Sequence, residues 1–235
     1  MGRQELHHLP AARRGWRWRL AQLALVLLLL PSALILAYRF VPPPVTPLML
    51  IRAVQGYEMR RDWVPLGSFA PALAEAVIAG EDNRFCTEPF GFDVGALREE
   101  AEAWWDGERP RGASTITMQT AKNIALWPGR DPLRKVAEAW LTPQIAILWP
   151  KRRVMEVYLN VVEFGPGLYG AEAAARAFFN KPASALTGRE AARLAAVLPS
   201  PLNWSAIRPS ERVLRRAAVI ERRVGQLGPL LDCVR

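Results

Sequence analysis

Histidine and cysteine are nearly absent: the 235 residues hold two of each. Both histidines, His7 and His8, lie near the N-terminus. The rest of the chain therefore has no imidazole for a His-centred catalytic triad or a catalytic His-ligated metal. Cys86 and Cys233 are far apart and form no CxxC pair, which excludes a zinc finger or a thioredoxin-like motif. A disulfide between them needs an oxidising compartment and Cα atoms within reach, and the sequence alone decides neither. Strand-like patterning is also scarce and is confined to Met49–Met59. There is no internal repeat, and no second long apolar run beyond the first, so the chain reads as single-pass.

What is present suits one medium domain with a short accessory segment: 51% of the residues are apolar, enough for a sizeable core. The formal net charge of +9 admits nucleic acid, an anionic membrane surface or a phosphate-bearing substrate as partner. Leu20–Tyr38 is a charge-free run of 19 residues, about 28 Å long as a helix against a hydrocarbon core of roughly 30 Å. Arg13, Arg14, Arg17 and Arg19 precede it, with Trp16 and Trp18 between them. The positive-inside rule then places the N-terminus in the cytoplasm and the chain after residue 40 outside. A cleaved signal peptide is the competing reading, but the apolar run is long and Ile35 breaks the small-x-small pattern before Ala37. The expected organisation is a basic cytoplasmic N-terminus over 1–19, an uncleaved anchor over 20–40, a proline-rich spacer and domain entry over 41–64, and a catalytic domain over 65–235. The stiff spacer VPPPVTPL is expected to hold that domain just off the membrane.

From Ser68 onward the pattern is almost wholly helical. Ser68 is expected to cap a helix reaching Gly80, and a further helix covers Val94–Trp105. Ser114 is the natural N-cap of the segment that follows, and Pro132–Leu148 reads as helix with a kink or break at Pro143. Lys151–Phe164 is expected to be helical up to Gly165-Pro166-Gly167, and Gly170–Phe179 is an alanine-rich helix. Thr187 and Glu190 form a capping box before EAARLAAVL, and Glu211–Gln226 is a basic terminal helix.

Four segments carry candidate chemistry. In Glu81-Asp82-Asn83-Arg84-Phe85 a carboxylate ends an apolar helix, where partial burial would raise its pKa and suit it to proton abstraction. In Gly112-Ala113-Ser114-Thr115-Ile116-Thr117-Met118-Gln119-Thr120-Ala121-Lys122-Asn123, the positions Thr115, Gln119 and Lys122 share one helical face. Lys122 with Arg130, just beyond a Pro-Gly turn, could hold a pyrophosphate. In Arg134-Lys135-Val136-Ala137-Glu138 the glutamate is either an intrahelical ion-pair partner or a second carboxylate kept ionised by cations. In the fourth segment, Lys151-Arg152-Arg153-Val154-Met155-Glu156-Val157-Tyr158-Leu159-Asn160, an apolar stripe of Val154, Val157, Tyr158 and Val161 looks structural.

Together, in this order and spacing, the four segments resemble the motifs of the peptidoglycan glycosyltransferases (glycosyltransferase family 51): ED-x-x-F, G-x-STITQQ-x-x-KN, RK-x-x-E and K-x-x-(I/V)-(L/M)-x-x-YLN. The resemblance runs from about Pro65 to Pro209. It is nearest to the monofunctional biosynthetic transglycosylase subgroup, with one membrane helix and no transpeptidase domain, to which a chain ending at Arg235 conforms. The resemblance implies a mainly α, lysozyme-like fold. It implies Glu81 as general base and Glu138 as the second essential carboxylate. It also implies substrate binding by Ser114, Thr115, Gln119, Lys122, Arg130, Lys135 and Asn160, with Lys122 and Arg130 at the pyrophosphate. The implied reaction moves a lipid-linked glycan strand onto the 4-hydroxyl of lipid II N-acetylglucosamine, forming a β-1,4 bond and releasing undecaprenyl pyrophosphate. It belongs to the outer face of the bacterial cytoplasmic (inner) membrane, with lipid II, the glycan strand and other cell-wall synthases as partners and no nucleic acid. No dedicated metal-ligand cluster is visible, although a divalent cation, Mg or Mn, has room to act at the pyrophosphate. Two positions depart from the motifs. The loop Cys86-Thr87-Glu88-Pro89-Phe90 lacks the usual histidine and holds one residue more, and Met118 replaces the first glutamine of the QQ pair. The alternatives are a lysozyme-type lytic enzyme, which does not need the pyrophosphate cations, and a non-catalytic membrane scaffold, which leaves both glutamates idle.

Overall fold

A computed structural model of the chain describes residues 12–108, 112–129 and 131–235. It is mainly α-helical, with one small sheet. The first helix, α1 (Ala12–Tyr38), includes a 24-residue stretch, Gly15–Tyr38, long and apolar enough to cross a membrane. Its last turn is not free of the domain. Ile35 is fully buried, and its carbonyl accepts the Trp149 indole N–H at 2.8 Å. Arg153 donates to the carbonyls of Tyr38 and Val41. The segment expected to act as a strut is itself bound in, since Pro43 is buried and the Pro44 carbonyl accepts from Arg61 at 2.7 Å. The spacer thus ties the domain to the end of α1 instead of holding it away.

The stretch read as a strand is mostly helix α2 (Pro47–Val54). Thr46 caps it, accepting from Met49 N, and Pro47 occupies the first turn, where a missing N–H costs nothing. Extended backbone appears only in β1 (Arg60–Arg61), β2 (Glu163–Gly165) and β3 (Leu168–Tyr169), in the order β1-β3-β2. β1 runs parallel to β3, and β2 antiparallel to it. The β2–β3 hairpin ends the preceding helix early: α7 stops at Val161 because Glu163–Gly165 pairs across the glycine turn.

The core is built around α3 (Pro71–Glu81). Leu73, Ala74, Ala76, Val77, Ile78 and Ala79 are all buried, so apolar side chains cover most of its circumference, as a central helix requires. Its cap is Ala70, not Ser68, which lies in a short 3₁₀ turn. α3 packs against α9 (Gly188–Val197) and α10 (Glu211–Leu227). A methyl group on Gly80 would lie 3.0 Å from the tip of Ile220, so α10 packs tightly on the end of α3 here. On the other side, α5 (Ile116–Ala125) packs on α6 (Pro132–Leu148) and α7 (Lys151–Val161). α6 continues without a break through Pro143. α4 (Val94–Trp105) and α8 (Ala171–Phe179) form as expected, and so does the Thr187–Glu190 capping box. Cys86 and Cys233 are joined in a disulfide, with Cα atoms 5.5 Å apart. It closes the chain's C-terminal end onto the loop after α3.

Candidate active site

The central helix delivers its last residue, Glu81, to a polar junction of three helices. On the α5 side, Gln119 donates to Glu81 Oε2 at 2.9 Å, and Tyr158 of α7 donates to Gln119 Oε1 at 2.9 Å. From α10, Arg216 donates to Glu81 Oε1 at 2.9 Å and to the Gly80 carbonyl. Ile220, which packs against Gly80, lies one turn from Arg216 on the same face of α10. The Glu81 side chain is 11% exposed, enough to meet a substrate but too little for full hydration. Burial pushes its pKa up; Gln119, Arg216 and Lys122 pull it part of the way back. The result is a carboxylate with raised basicity, still held by donors and hence oriented.

If Arg216 restrains the pKa, Arg216→Ala should move the acidic limb of kcat/KM to higher pH, because loss of a nearby cation disfavours the ionised base. A pH–rate profile checks this. A limb at the wild-type position would show that Arg216 only packs.

The second carboxylate comes from α6, which packs on α5. Glu138 is buried and paired with Arg134, and it accepts from Lys135 Nζ at 3.2 Å. Lys135 also donates to Ser114 Oγ at 3.2 Å, linking the start of α5 to α6. Lys122 senses both glutamates and both neighbouring cations, Arg134 and Lys135. Burial, the strongest influence on Lys122, lowers its pKa. A cavity of about 380 Å³ opens beside it, lined by Gln119, Lys122, Trp127 and Arg134 on one wall and by the Leu198–Asn203 turn on another. A smaller one of about 180 Å³ is lined by Glu81, Asp93, Ser114 and Arg223. Glu81 thus lines the smaller cavity, and its partner Gln119 lines the larger, cation-rich one.

Of the sequence-predicted residues, Glu81, Glu138, Ser114, Gln119, Lys122 and Lys135 come together here. Thr115 lines the smaller cavity beside Ser114, but its hydroxyl is engaged within the protein. It, and not Ser114, is the cap of α5, and its buried hydroxyl donates to the Gly91 carbonyl while accepting from Met118 N. Asn160 also belongs elsewhere: fully buried, it pairs with the backbone of Val64 through both its oxygen and its nitrogen. Arg130 lies outside the described residues. Arg216 escaped the sequence reading, since nothing in a basic helix marks which arginine turns inward. Tyr158 was read as core; it is buried, and its hydroxyl nonetheless orients Gln119.

The Transglycosylase family model matches residues 49–224, the segment that contains every one of these side chains. The chain belongs to the transglycosylase family. A relative from Caulobacter vibrioides is 49% identical over 224 residues, covering 94% of this chain and 97% of its own length. One from Rhodospirillum centenum is 54% identical over 210 residues, covering 88% and 89%. A third, from Pseudomonas putida (strain W619), is 49% identical over 201 residues, covering 83% and 85%. All three are named biosynthetic peptidoglycan transglycosylases. In this glycosyltransferase the charges of both acidic side chains, Glu81 and Glu138, act on Lys122.

Proposed function

We propose that this glycosyltransferase polymerises the glycan strands of peptidoglycan from lipid II, at the outer face of the cytoplasmic membrane and by inverting displacement. The observation that carries this reading is the pairing of a desolvated, donor-held Glu81 with a neighbouring cavity walled by Lys122 and Arg134. The names of the relatives support the substrate class. Glu81 takes the proton of the acceptor's N-acetylglucosamine 4-hydroxyl. That oxygen attacks the anomeric carbon of the lipid-linked strand, the anomeric bond to pyrophosphate breaks, and a β-1,4 bond forms. Negative charge gathers on the departing undecaprenyl pyrophosphate. Lys122, joined by Arg130 on the motif reading, stabilises that charge more in the transition state than in the ground state. A divalent cation, Mg or Mn, would draw most of its ligands from the pyrophosphate. Glu138 is already engaged by Arg134 and Lys135, and the described residues hold no group of three acidic, imidazole or thiol side chains. α1 confines the enzyme to the bilayer that holds both lipid-linked substrates, which raises their encounter.

Incubating the purified protein with labelled lipid II tests the reading. Polymer is expected. Cleavage of preformed glycan would indicate a lytic enzyme, and neither outcome would leave a scaffold. Orientation has its own test: the arginines before α1 predict that a reporter fused after Arg235 is active only outside the cytoplasm. A signal confined to the cytoplasm would reverse the topology and put the substrate out of reach.

A further inference from the structure

Directly behind Glu81 lies a second group of ionisable side chains that the reaction does not use. Asp82 is 7% exposed and Glu88 5%. Lys151 Nζ is buried with no hydrogen-bond acceptor, 4.6 Å from the centre of the Phe85 ring. Asp82 leaves α3 and accepts from the backbone N–H of Ile116 at 2.9 Å, so it fastens the first turn of α5 to the last turn of α3. Glu88 has no such duty. Neither of its oxygens meets an N–H or O–H donor. What it meets is the Asp82 carboxylate, and two carboxyl groups form a hydrogen bond only when one of them holds a proton. Asp82 already receives the N–H of Ile116, which favours its ionised form. The proton therefore belongs to Glu88.

Charge counting agrees. With Asp82 and Lys151 ionised and Glu88 protonated, the buried group is neutral. With Glu88 ionised, it carries an uncompensated negative charge away from water. The other nearby charges are already matched: Asp93 pairs with Arg84 at 3.5 Å and accepts the Ala96 N–H at the start of α4. The loop that holds Glu88 is pinned at both ends. Cys86 is bonded to Cys233, and the Gly91 carbonyl accepts the Thr115 hydroxyl at 2.6 Å. Gly91 has φ +75°, and a methyl group there would sit 2.8 Å from Thr117, so this end of the loop is packed closely on α5.

We propose that Glu88 is a positioning residue of the active site: its protonated carboxyl donates to Asp82 and, through Asp82, holds the start of α5 and the end of α3 in the register that presents Glu81 to Gln119. This is the chemistry of the loop in which the family's histidine is missing. Burial first, and then the Asp82 charge, raise the Glu88 pKa to about 8. A group whose pKa is raised on folding contributes stability that is complete below its unfolded pKa and is lost as pH rises through the folded one. The device therefore loosens on the alkaline side.

The test uses the full chain in detergent or lipid, with Glu88→Gln and Glu88→Ala beside the wild type. Its activity readings rest on the lipid II function proposed above, so thermal midpoints are recorded in parallel from pH 6 to 9. Glutamine keeps a donor for Asp82 and cannot ionise. At pH 6.5, Glu88→Ala should lower kcat by about ten- to hundredfold with KM little changed, and Glu88→Gln should restore most of it. The wild type should show a falling limb of kcat near pH 8 that Glu88→Gln lacks. Its thermal midpoint should also drop relative to Glu88→Gln between pH 6 and 8. Superimposable wild-type and Glu88→Gln pH profiles would overturn the proposal, as would normal kcat in Glu88→Ala or a midpoint difference with no effect on kcat. If Glu88→Ala fails to fold, the comparison of wild type with Glu88→Gln decides alone. A wild type without lipid II turnover would refute the function, and the midpoint comparison would still locate the proton.

Discussion

Glu81→Gln should abolish polymerisation while the protein stays folded. The substitution keeps the shape of the side chain and removes its capacity to accept a proton. General-base catalysis typically contributes about 10²- to 10⁴-fold, so kcat should fall by that order. The local hydrogen bonds can be rebuilt. Both Glu81 oxygens accept, from Gln119 and from Arg216, and an amide at 81 presents one donor of its own. Rotating the Gln119 amide by half a turn turns its oxygen toward that donor and its NH₂ toward Tyr158, whose hydroxyl can accept as well as donate. The expected stability change is accordingly about 1–2 kcal/mol. Turnover of lipid II and a thermal melt, read together, check both halves. Near-normal turnover would remove Glu81 from the role of base and make Glu138 the next candidate.

Glu138→Ala should fail in a different way, losing stability as well as activity. Glu138 and Arg134 are 3% and 10% exposed, so removing the carboxylate leaves a guanidinium buried without its counter-ion. Breaking one side of such a buried pair costs about 3–5 kcal/mol. For a domain of this size that is a drop in Tm of roughly 6–20 °C. Lys135 and Lys122 also lose the negative charge that offsets the repulsion among the cations beside the larger cavity, so turnover should fall even at temperatures where the variant is folded. A melt within about 1 °C of wild type would mean that Arg134 finds another partner and that the pair is not a support of the site. The contrast with Glu81→Gln separates a base from an ionic support.

Much of this was legible in the sequence because it is local. Helices α4 through α10 follow from apolar periodicity and from short-range signals such as the Thr187–Glu190 box, which depend on residues three or four apart. Errors arose where two local signals competed. Thr46 followed by Pro47 is a helix-start signal, but the β-favouring residues after it were read as a strand. At Ser114-Thr115 two adjacent hydroxyls could each cap α5, and the Gly91 carbonyl, 24 residues away, selects Thr115. Lys151–Phe164 was read too long because the pairing that ends α7 lies across a turn in β3.

The site divides along the same line. Glu81, Gln119, Lys122 and Glu138 stand in compact motifs and could be named from sequence. Arg216 reaches Glu81 across 135 positions, so no local pattern announces it. The disulfide is similar: Cys86 and Cys233 are 147 positions apart, and only the fold brings their Cα atoms to 5.5 Å. Asn160 erred in the other direction. A polar residue in a motif suggested ligand contact, while its amide completes the backbone pairing of Val64.

The proposed reaction is an inverting displacement at a lipid-linked donor, with Glu81 as base and a cationic wall for the departing pyrophosphate. The most direct measurement follows wild-type enzyme on labelled lipid II and scores each new glycosidic bond for configuration, against undecaprenyl pyrophosphate released. Only β-1,4 bonds are expected, with one pyrophosphate released for each bond formed. Retained configuration at the anomeric carbon, or bonds formed without matching release of pyrophosphate, would contradict the proposed reaction.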